Sequence, residues 1–145
     1  MTVRLWRCST GLHRWGLRRL GRLVQRLNGF VHHNDLGAGA VLGRGVSLGH
    51  RGLGVVVHDN VVLGDGVHLW HNVTLAVRAR PGSEHRIVVG DGVTVGTGAV
   101  VITPRHGSLH IGRAARIGAN AVVTRDVPAA ATVVGVPAQP RADAP

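Results

Sequence analysis

From Leu36 onward the aliphatic residues fall on a six-residue grid. Units begin at Leu36, Leu42, Leu48, Val57, Leu63, Leu69, Leu75, Val89, Val95, Val101, Ile111, Ile117 and Val123, and the register returns after each interruption. In the nine units begun by Leu36, Leu42, Val57, Leu63, Leu69, Val89, Val95, Ile111 and Ile117, the fifth position is always Ala or Val, and the second is Gly in seven. Short extended segments with a small residue beside each aliphatic one predict a β-helix, three strands to a triangular coil. Thirteen units make just over four coils. The first and fifth positions should point to the axis, and the glycine should relieve backbone crowding where the chain turns a corner. Stacked ladders of Val, Leu and Ile then build a core that needs few aromatic residues. A β-sandwich with Gly-rich turns would not hold one register for so long.

The N-terminal stretch has a different period. Leu17, Leu20, Val24 and Leu27 recur at helical spacing, and Arg14, Arg18, Arg22 and Arg26 recur every four residues beside them. One or two amphipathic helices are expected, broken near Gly11 or Gly16. The leucine stripe is expected to pack on the main domain with the arginines in solvent. The competing reading is attachment of the basic face, with Trp6 and Trp15 nearby, to anionic lipid or an acidic partner. The chain therefore divides into a basic helical segment (1–30), the β-helix (31–127) and a C-terminal extension (128–145).

Composition narrows the classes. At 145 residues and 15.2 kDa the chain is expected to be one domain. Residues 1–30 carry seven Arg and no acid, whereas 31–145 carry ten Arg against seven acids, so the charge sits at one end. No helix-turn-helix, zinc-finger or aromatic-rich RNA-binding pattern accompanies it, and no nucleic-acid partner is expected. The lone Cys8 cannot make an internal disulfide or a cysteine metal cluster, which suits a reducing, cytoplasmic setting with residues 1–30 available to a membrane surface. Apolar runs such as Val55–Val57 fall far short of the roughly 18 residues of a bilayer span.

The candidate chemistry lies where the repeat breaks. The units begun by Leu48, Leu75 and Val101 are overlong by three, eight and four residues. The last two are three units apart, so their loops should leave one edge a coil apart, carrying His85 in one and His106 and His110 in the other. In the first break, Gly49 and Gly52 flank His50 and Arg51. Asp35 precedes His50 by fifteen residues, a little less than one coil, which should bring the two onto adjacent rungs. A carboxylate beside an imidazole fixes its tautomer and raises its basicity, as a general base acting on an alcohol requires. The bland alternative is a turn-capping Asp35 and a surface His50.

Asp35-Leu36, Leu42-Gly43-Arg44-Gly45, Gly49-His50, Gly54-Val55-Val56-Val57, Asn72-Val73-Thr74-Leu75, Ile117-Gly118-Ala119 and Gly135-Val136-Pro137-Ala138 together resemble the serine O-acetyltransferases. Closer still is the likeness to their short relatives found with polysaccharide genes. The resemblance implies an all-β, left-handed parallel β-helix of about four coils, usually homotrimeric, that uses acetyl-CoA as co-substrate and no metal. It casts His50 as the base that deprotonates the acceptor hydroxyl for direct attack on the thioester, and Asp35 as its orienting partner. It puts Thr97 and Ala119 along the pantetheine arm, with Pro137 in the segment that closes over it, and Ala76 among the residues that bind the cofactor. Arg113 and Arg116 are candidates for the CoA phosphates on charge and proximity. His85 matches a second histidine that contacts the acceptor. The chain departs from the family at Gly49, where an aspartate helps hold the amino acid, and restoring that carboxylate should raise activity on serine. It departs again at Ala76-Val77, where two glycines are usual. The acceptor is thus serine, a sugar or another small metabolite.

Two other classes fit the same fold. A γ-type carbonic anhydrase would gather His71, His106 and His110 around zinc across a subunit interface, and a β-helix can be a non-catalytic spacer. His58 and His68 are expected to face solvent, Trp70 to lie in a subunit contact or at the surface, and His32 and His33 to line the acceptor side.

Overall fold

The computed structural model describes residues 1–140; residues 141–145 of the expected C-terminal extension lie outside them. Two helices, α1 (Thr2–Arg14) and α2 (Arg18–His32), precede a parallel β-solenoid. The first coil is β1 (Asp35–Leu36), β2 (Val41–Leu42) and β3 (Ser47–Leu48); the second is β4 (Val56–Val57), β5 (Val61–Leu63) and β6 (His68–Leu69). The third is β7 (Thr74–Ala76), β8 (Ile87–Val89) and β9 (Thr94–Val95), and the fourth β10 (Val100–Ile102), β11 (Leu109–Ile111) and β12 (Arg116–Ile117). A fifth begins with β13 (Val122–Val123) and continues to β14 (Thr132–Val134), and β15 (Gln139–Pro140) folds back antiparallel on β14. Because β14 pairs in parallel with β12, the solenoid runs past residue 127, where the sequence suggested it would end.

The strands stack into three sheets: β1-β4-β7-β10-β13, β2-β5-β8-β11, and β3-β6-β9-β12-β14. In chain order these are the first, second and third sheets. The first-position aliphatics stack directly. Leu36, Val57, Leu75, Val101 and Val123 make one ladder, Leu42, Leu63, Val89 and Ile111 another, and Leu48, Leu69, Val95, Ile117 and Val133 the third. All nine of the predicted fifth-position Ala and Val residues are buried beside them.

Second-position glycines are required by close approach, not by handedness. A Cβ on Gly96 would lie 2.6 Å from the backbone nitrogen of Ala119 one coil on, and one on Gly90 would lie 2.7 Å from that of Arg113. The left-handed backbone falls two residues later, at Gly45, Gly66, Gly92 and Gly98, where Asn72, Ala114 and Asn120 also adopt it.

The helices correct the sequence reading. Gly11 stays within α1, and the break comes at Gly16, whose φ is +82°. The leucine stripe of α2 does not pack on the solenoid: Leu20, Leu23 and Leu27 are exposed, and α2 buries Gly21 and Asn28 instead. Gly21 sits so close to α1 that a Cβ would be 2.8 Å from the Ser9 carbonyl. The contact with the solenoid core comes from α1, whereas α2 touches the solenoid at β1. Trp6, fully buried, joins the core at its open first coil, and its indole N–H donates to the Gly37 carbonyl at 2.9 Å. A large aromatic there covers apolar surface that the end of a ladder would otherwise leave wet.

Three glycines with three different surroundings should therefore respond differently to alanine in chemical denaturation. Gly96→Ala is expected to lose about 1–3 kcal/mol by overpacking, and Gly45→Ala about 1 kcal/mol through its φ of +68°. Gly11→Ala, with nothing within 4 Å in a helix, is expected to gain about 0.5–1 kcal/mol.

Candidate active site

The corner where the third sheet turns into the first carries a column of side chains. Its members are the third residues of four stacked units: His50, His71, Thr97 and Ala119. The rings of His50 and His71 meet edge to face at 4.6 Å, and Nδ1 of His71 lies 3.4 Å from the Thr97 hydroxyl. With coils one strand spacing apart, the column is roughly 14 Å long. Its alignment follows from the repeat, because any position recurring at the same phase lands on the same edge.

His50 stands at the end of this column on a strained turn, Gly49–Gly52. Both His50 (φ 47°, ψ 41°) and Arg51 (φ 60°, ψ 18°) are left-handed, a conformation that costs a residue with a Cβ roughly 1–2 kcal/mol. Such strain persists only when the surroundings enforce it, and it concentrates at functional sites. Here the enforcement is visible. The Thr2 hydroxyl donates to the Arg51 carbonyl (2.9 Å), the Gly54 N–H to the His33 carbonyl (2.8 Å), and the Asn72 N–H to the Leu53 carbonyl (2.8 Å). None of these three ties is legible in a six-residue period. His33 thus serves the loop through its backbone.

Asp35 heads β1, which pairs with β4, the strand into which the His50 loop runs. Its Oδ1 accepts from Nε2 of Gln25 at 2.8 Å. No hydrogen bond or ion pair joins Asp35 to His50; the ring neighbours of His50 are His71 and, at 6.2 Å, Trp70. Gly49 is buried beneath that indole, and a Cβ there would lie 2.9 Å from Cε3 of Trp70.

The other two overlong segments leave the corner between the first and second sheets, one coil apart, as their spacing predicts. His85 in residues 77–86 and His106 in residues 103–108 have ring centroids 6.5 Å apart. One residue that the sequence analysis passed over holds the longer loop. The amide of Asn60 donates to the carbonyls of Arg80 (3.1 Å) and His85 (3.0 Å) and to the Ser83 hydroxyl (3.0 Å), and its Oδ1 accepts from the Gly82 N–H (2.8 Å). Asn60 occupies the same corner one coil below, so only the coil geometry could have found it. Ala76 ends β7 on this side, with its carbonyl accepting from the Thr103 N–H at 3.1 Å.

The remaining candidates are spread. Arg116 is exposed on β12, close to the column, whereas Arg113 is exposed at the turn between β11 and β12, on the opposite edge of that sheet. Pro137 lies in a segment strapped to β13, the strand after Ala119: the Val122 N–H donates to the Gly135 carbonyl (3.0 Å) and the Ala138 N–H to the Val122 carbonyl (2.8 Å). Of the three carbonic-anhydrase candidates, His71 packs on His50, His106 faces His85, and Nδ1 of His110 lies 3.8 Å from the Asp126 carboxylate. His68 is not a free surface group; its Nδ1 pairs with the Ser47 hydroxyl at 2.8 Å.

A cavity of about 370 Å³ opens beside the His50 turn, lined by Met1, Thr2, His32 and Arg51. Burial pushes the His32 imidazole below the usual histidine range, and the α-amino group, Arg51 and His33 push it the same way. The buried Nε2 of His32 has no hydrogen-bond partner among the described residues.

A parallel solenoid of six-residue units, with a strained histidine at one end of a column along its edge, defines the hexapeptide-repeat class. No family model matches the chain. It is 34% identical over 134 residues to the serine acetyltransferase of Helicobacter pylori, covering 92% of this chain and 75% of that protein. It is 40% identical over 124 residues to that of Mycobacterium tuberculosis, covering 86% of this chain but 52%, about half, of the longer relative. The Brucella abortus serine acetyltransferase solved in complex with coenzyme A superposes with a TM-score of 0.86 at 29% identity, over 95% of this chain and 53% of that one. The chain belongs to the serine acetyltransferase family.

The position of Trp70 overturns the simple expectation for Gly49→Asp. That substitution alone should collide with the indole and lower stability by about 1–3 kcal/mol, with no gain on serine. Combined with Trp70→Leu, which vacates the space, the loss should shrink by at least half. Denaturation of the two variants checks it.

Proposed function

We propose that the chain is an acetyl-CoA-dependent O-acetyltransferase acting on a small hydroxyl acceptor, with serine the first acceptor to test because the relatives are named for it. The observation that carries this reading is the unbroken column of His50, His71, Thr97 and Ala119 along one edge. It offers an extended thioester arm a straight track past the small side chains of Ala119 and Thr97 to the paired imidazoles of His71 and His50. The coenzyme A complex of the Brucella abortus relative supports the same co-substrate.

In the proposed step, His50 takes the proton of the acceptor hydroxyl as its oxygen attacks the thioester carbonyl. The new C–O bond forms, the C–S bond breaks, and the proton held by His50 passes to the departing CoA sulfur. No acyl-enzyme is involved, and Cys8, exposed on α1, has no part. The edge-on ring of His71, itself anchored by Thr97, limits rotation of His50. Asp35 is the proposed orienting carboxylate; to fill that role it exchanges its bond from Gln25 for one from His50. Arg116, beside the column, is a better placed phosphate partner than Arg113.

The His50 corner and the His85 corner flank opposite edges of the first sheet. One chain therefore does not bring both to one acceptor. In the homotrimer that we propose, the partner subunit's His85 faces the His50 column across the subunit groove, and Trp70 and Leu53, both exposed beside it, supply apolar contact.

His50→Ala should lower CoA-thiol release by at least about 100-fold, the usual worth of a general base, with the thermal transition unchanged. A loss of less than about tenfold would remove His50 from that role. Mixed oligomers of His50→Ala and His85→Ala chains should recover part of the activity that neither has alone, and a mixture as inactive as its parents would sink the shared site. Serine, homoserine and sugar acceptors in the same assay identify the hydroxyl.

A further inference from the structure

The apolar arc of α2 faces solvent and is not used by the fold or the proposed chemistry. Leu20, Leu23, Leu27, Phe30 and Val31 fall within an arc of about 100°, and they are 46%, 61%, 53%, 84% and 46% exposed. Arg18, Arg22 and Arg26, also exposed, form the adjacent stripe, and α1 covers the far side through Gly21 and Asn28. Trp15, 85% exposed, stands at the turn that leads into the helix. We propose that α2 lies in the surface of an anionic phospholipid membrane, with its leucines and Phe30 among the acyl chains and its arginines on the lipid phosphates.

Charge selects this occupant over a second copy of the chain. Residues 1–34 carry seven arginines and no carboxylate, so two such helices brought face to face would repel, with no acid of their own to offset it. A membrane surface supplies both things this face lacks, an apolar layer and a dense array of negative charge. Copy-to-copy contact has other apolar material in Val41, Leu53, Val56 and Trp70 on the solenoid. Among the described residues no helix is long and apolar enough to cross a membrane, so α2 would rest in the interface plane.

The test is sedimentation of the full chain with vesicles of phosphatidylcholine alone and of equal parts phosphatidylcholine and phosphatidylglycerol. The chain should pellet with the mixed vesicles, not with the neutral ones, and raising the salt should release it. Leu23→Asp with Phe30→Asp should weaken binding by at least about tenfold, and Arg18, Arg22 and Arg26 changed together to Gln by about a hundredfold. All five positions are exposed, so the fold should survive, as circular dichroism would verify. Absence of vesicle binding overturns the proposal, as does equal binding to both vesicle types. So does a double aspartate variant that binds as well as the parent, which would mean arginine attraction without insertion. If that variant instead splits the oligomer while the parent ignores lipid, the face is a contact between copies. Because CoA-thiol release is measured in solution, its loss or retention bears on the acetyltransferase reading separately.

Discussion

Successive coils of the solenoid must approach to the spacing of neighbouring β-strands, and everything else inherits that distance. It leaves no room for a Cβ where one coil's corner meets the backbone of the next, which is why Gly43, Gly64, Gly90, Gly96 and Gly112 recur at one phase. It also turns the chain into a ruler, since each residue has its counterpart one rung away on the same edge. Inward phases become aliphatic ladders. Outward phases at corners become columns of side chains at regular intervals, and these can take up function without disturbing the core.

The His50 turn shows how the scaffold and the site are joined. A left-handed His50 and Arg51 are unfavourable in isolation, yet the turn is held from three sides, by α1 through Thr2, by the segment before β1 through His33, and by the next coil through Asn72. The close fit of Gly49 under Trp70 follows from the stacking of their units, since Leu48 pairs with Leu69 one coil on. The residue that crowds out an acid at position 49 belongs to the coil whose His71 packs on His50, so on the proposed reading acceptor contacts and base positioning would be coupled through one rung. On that reading the acceptor pocket would not be remodelled one residue at a time.

What the sequence made legible was whatever repeats. The ladders, the buried fifth positions, the count of coils and the shared edge of the loops bearing His85 and His106 all follow from phase. What it hid were single events. Trp6 closing the first coil has no periodic signal, and a leucine stripe reads the same whether it faces a core or solvent. Gly21 and Asn28, small and polar in a helix that seemed to offer leucines, were the actual contacts with α1. Asn60 is legible only once coil height is known, because its bonds reach a loop twenty to twenty-five residues away. Asp35 heads β1, and its hydrogen-bond partner, Gln25, comes from a helix that the repeat does not describe.

The geometry of a three-sided coil finally constrains how such a chain can act. Each sheet separates two corners, and here the two corners flanking the first sheet hold different halves of the proposed chemistry: an imidazole column on one and histidine-bearing loops on the other. The intervening face is flat and its interior is filled by Val57, Leu75 and Val101, so no rearrangement short of unfolding brings the corners together within one chain. In the proposed homotrimer, three-fold packing would solve this without any movement by setting the leading corner of one sheet against the trailing corner of the next. On the acetyltransferase reading, the groove so formed excludes water on two sides and lets the thioester enter along the column. Association is then a requirement of the chemistry, and the rigidity of the ladders is what keeps both corners at working distance.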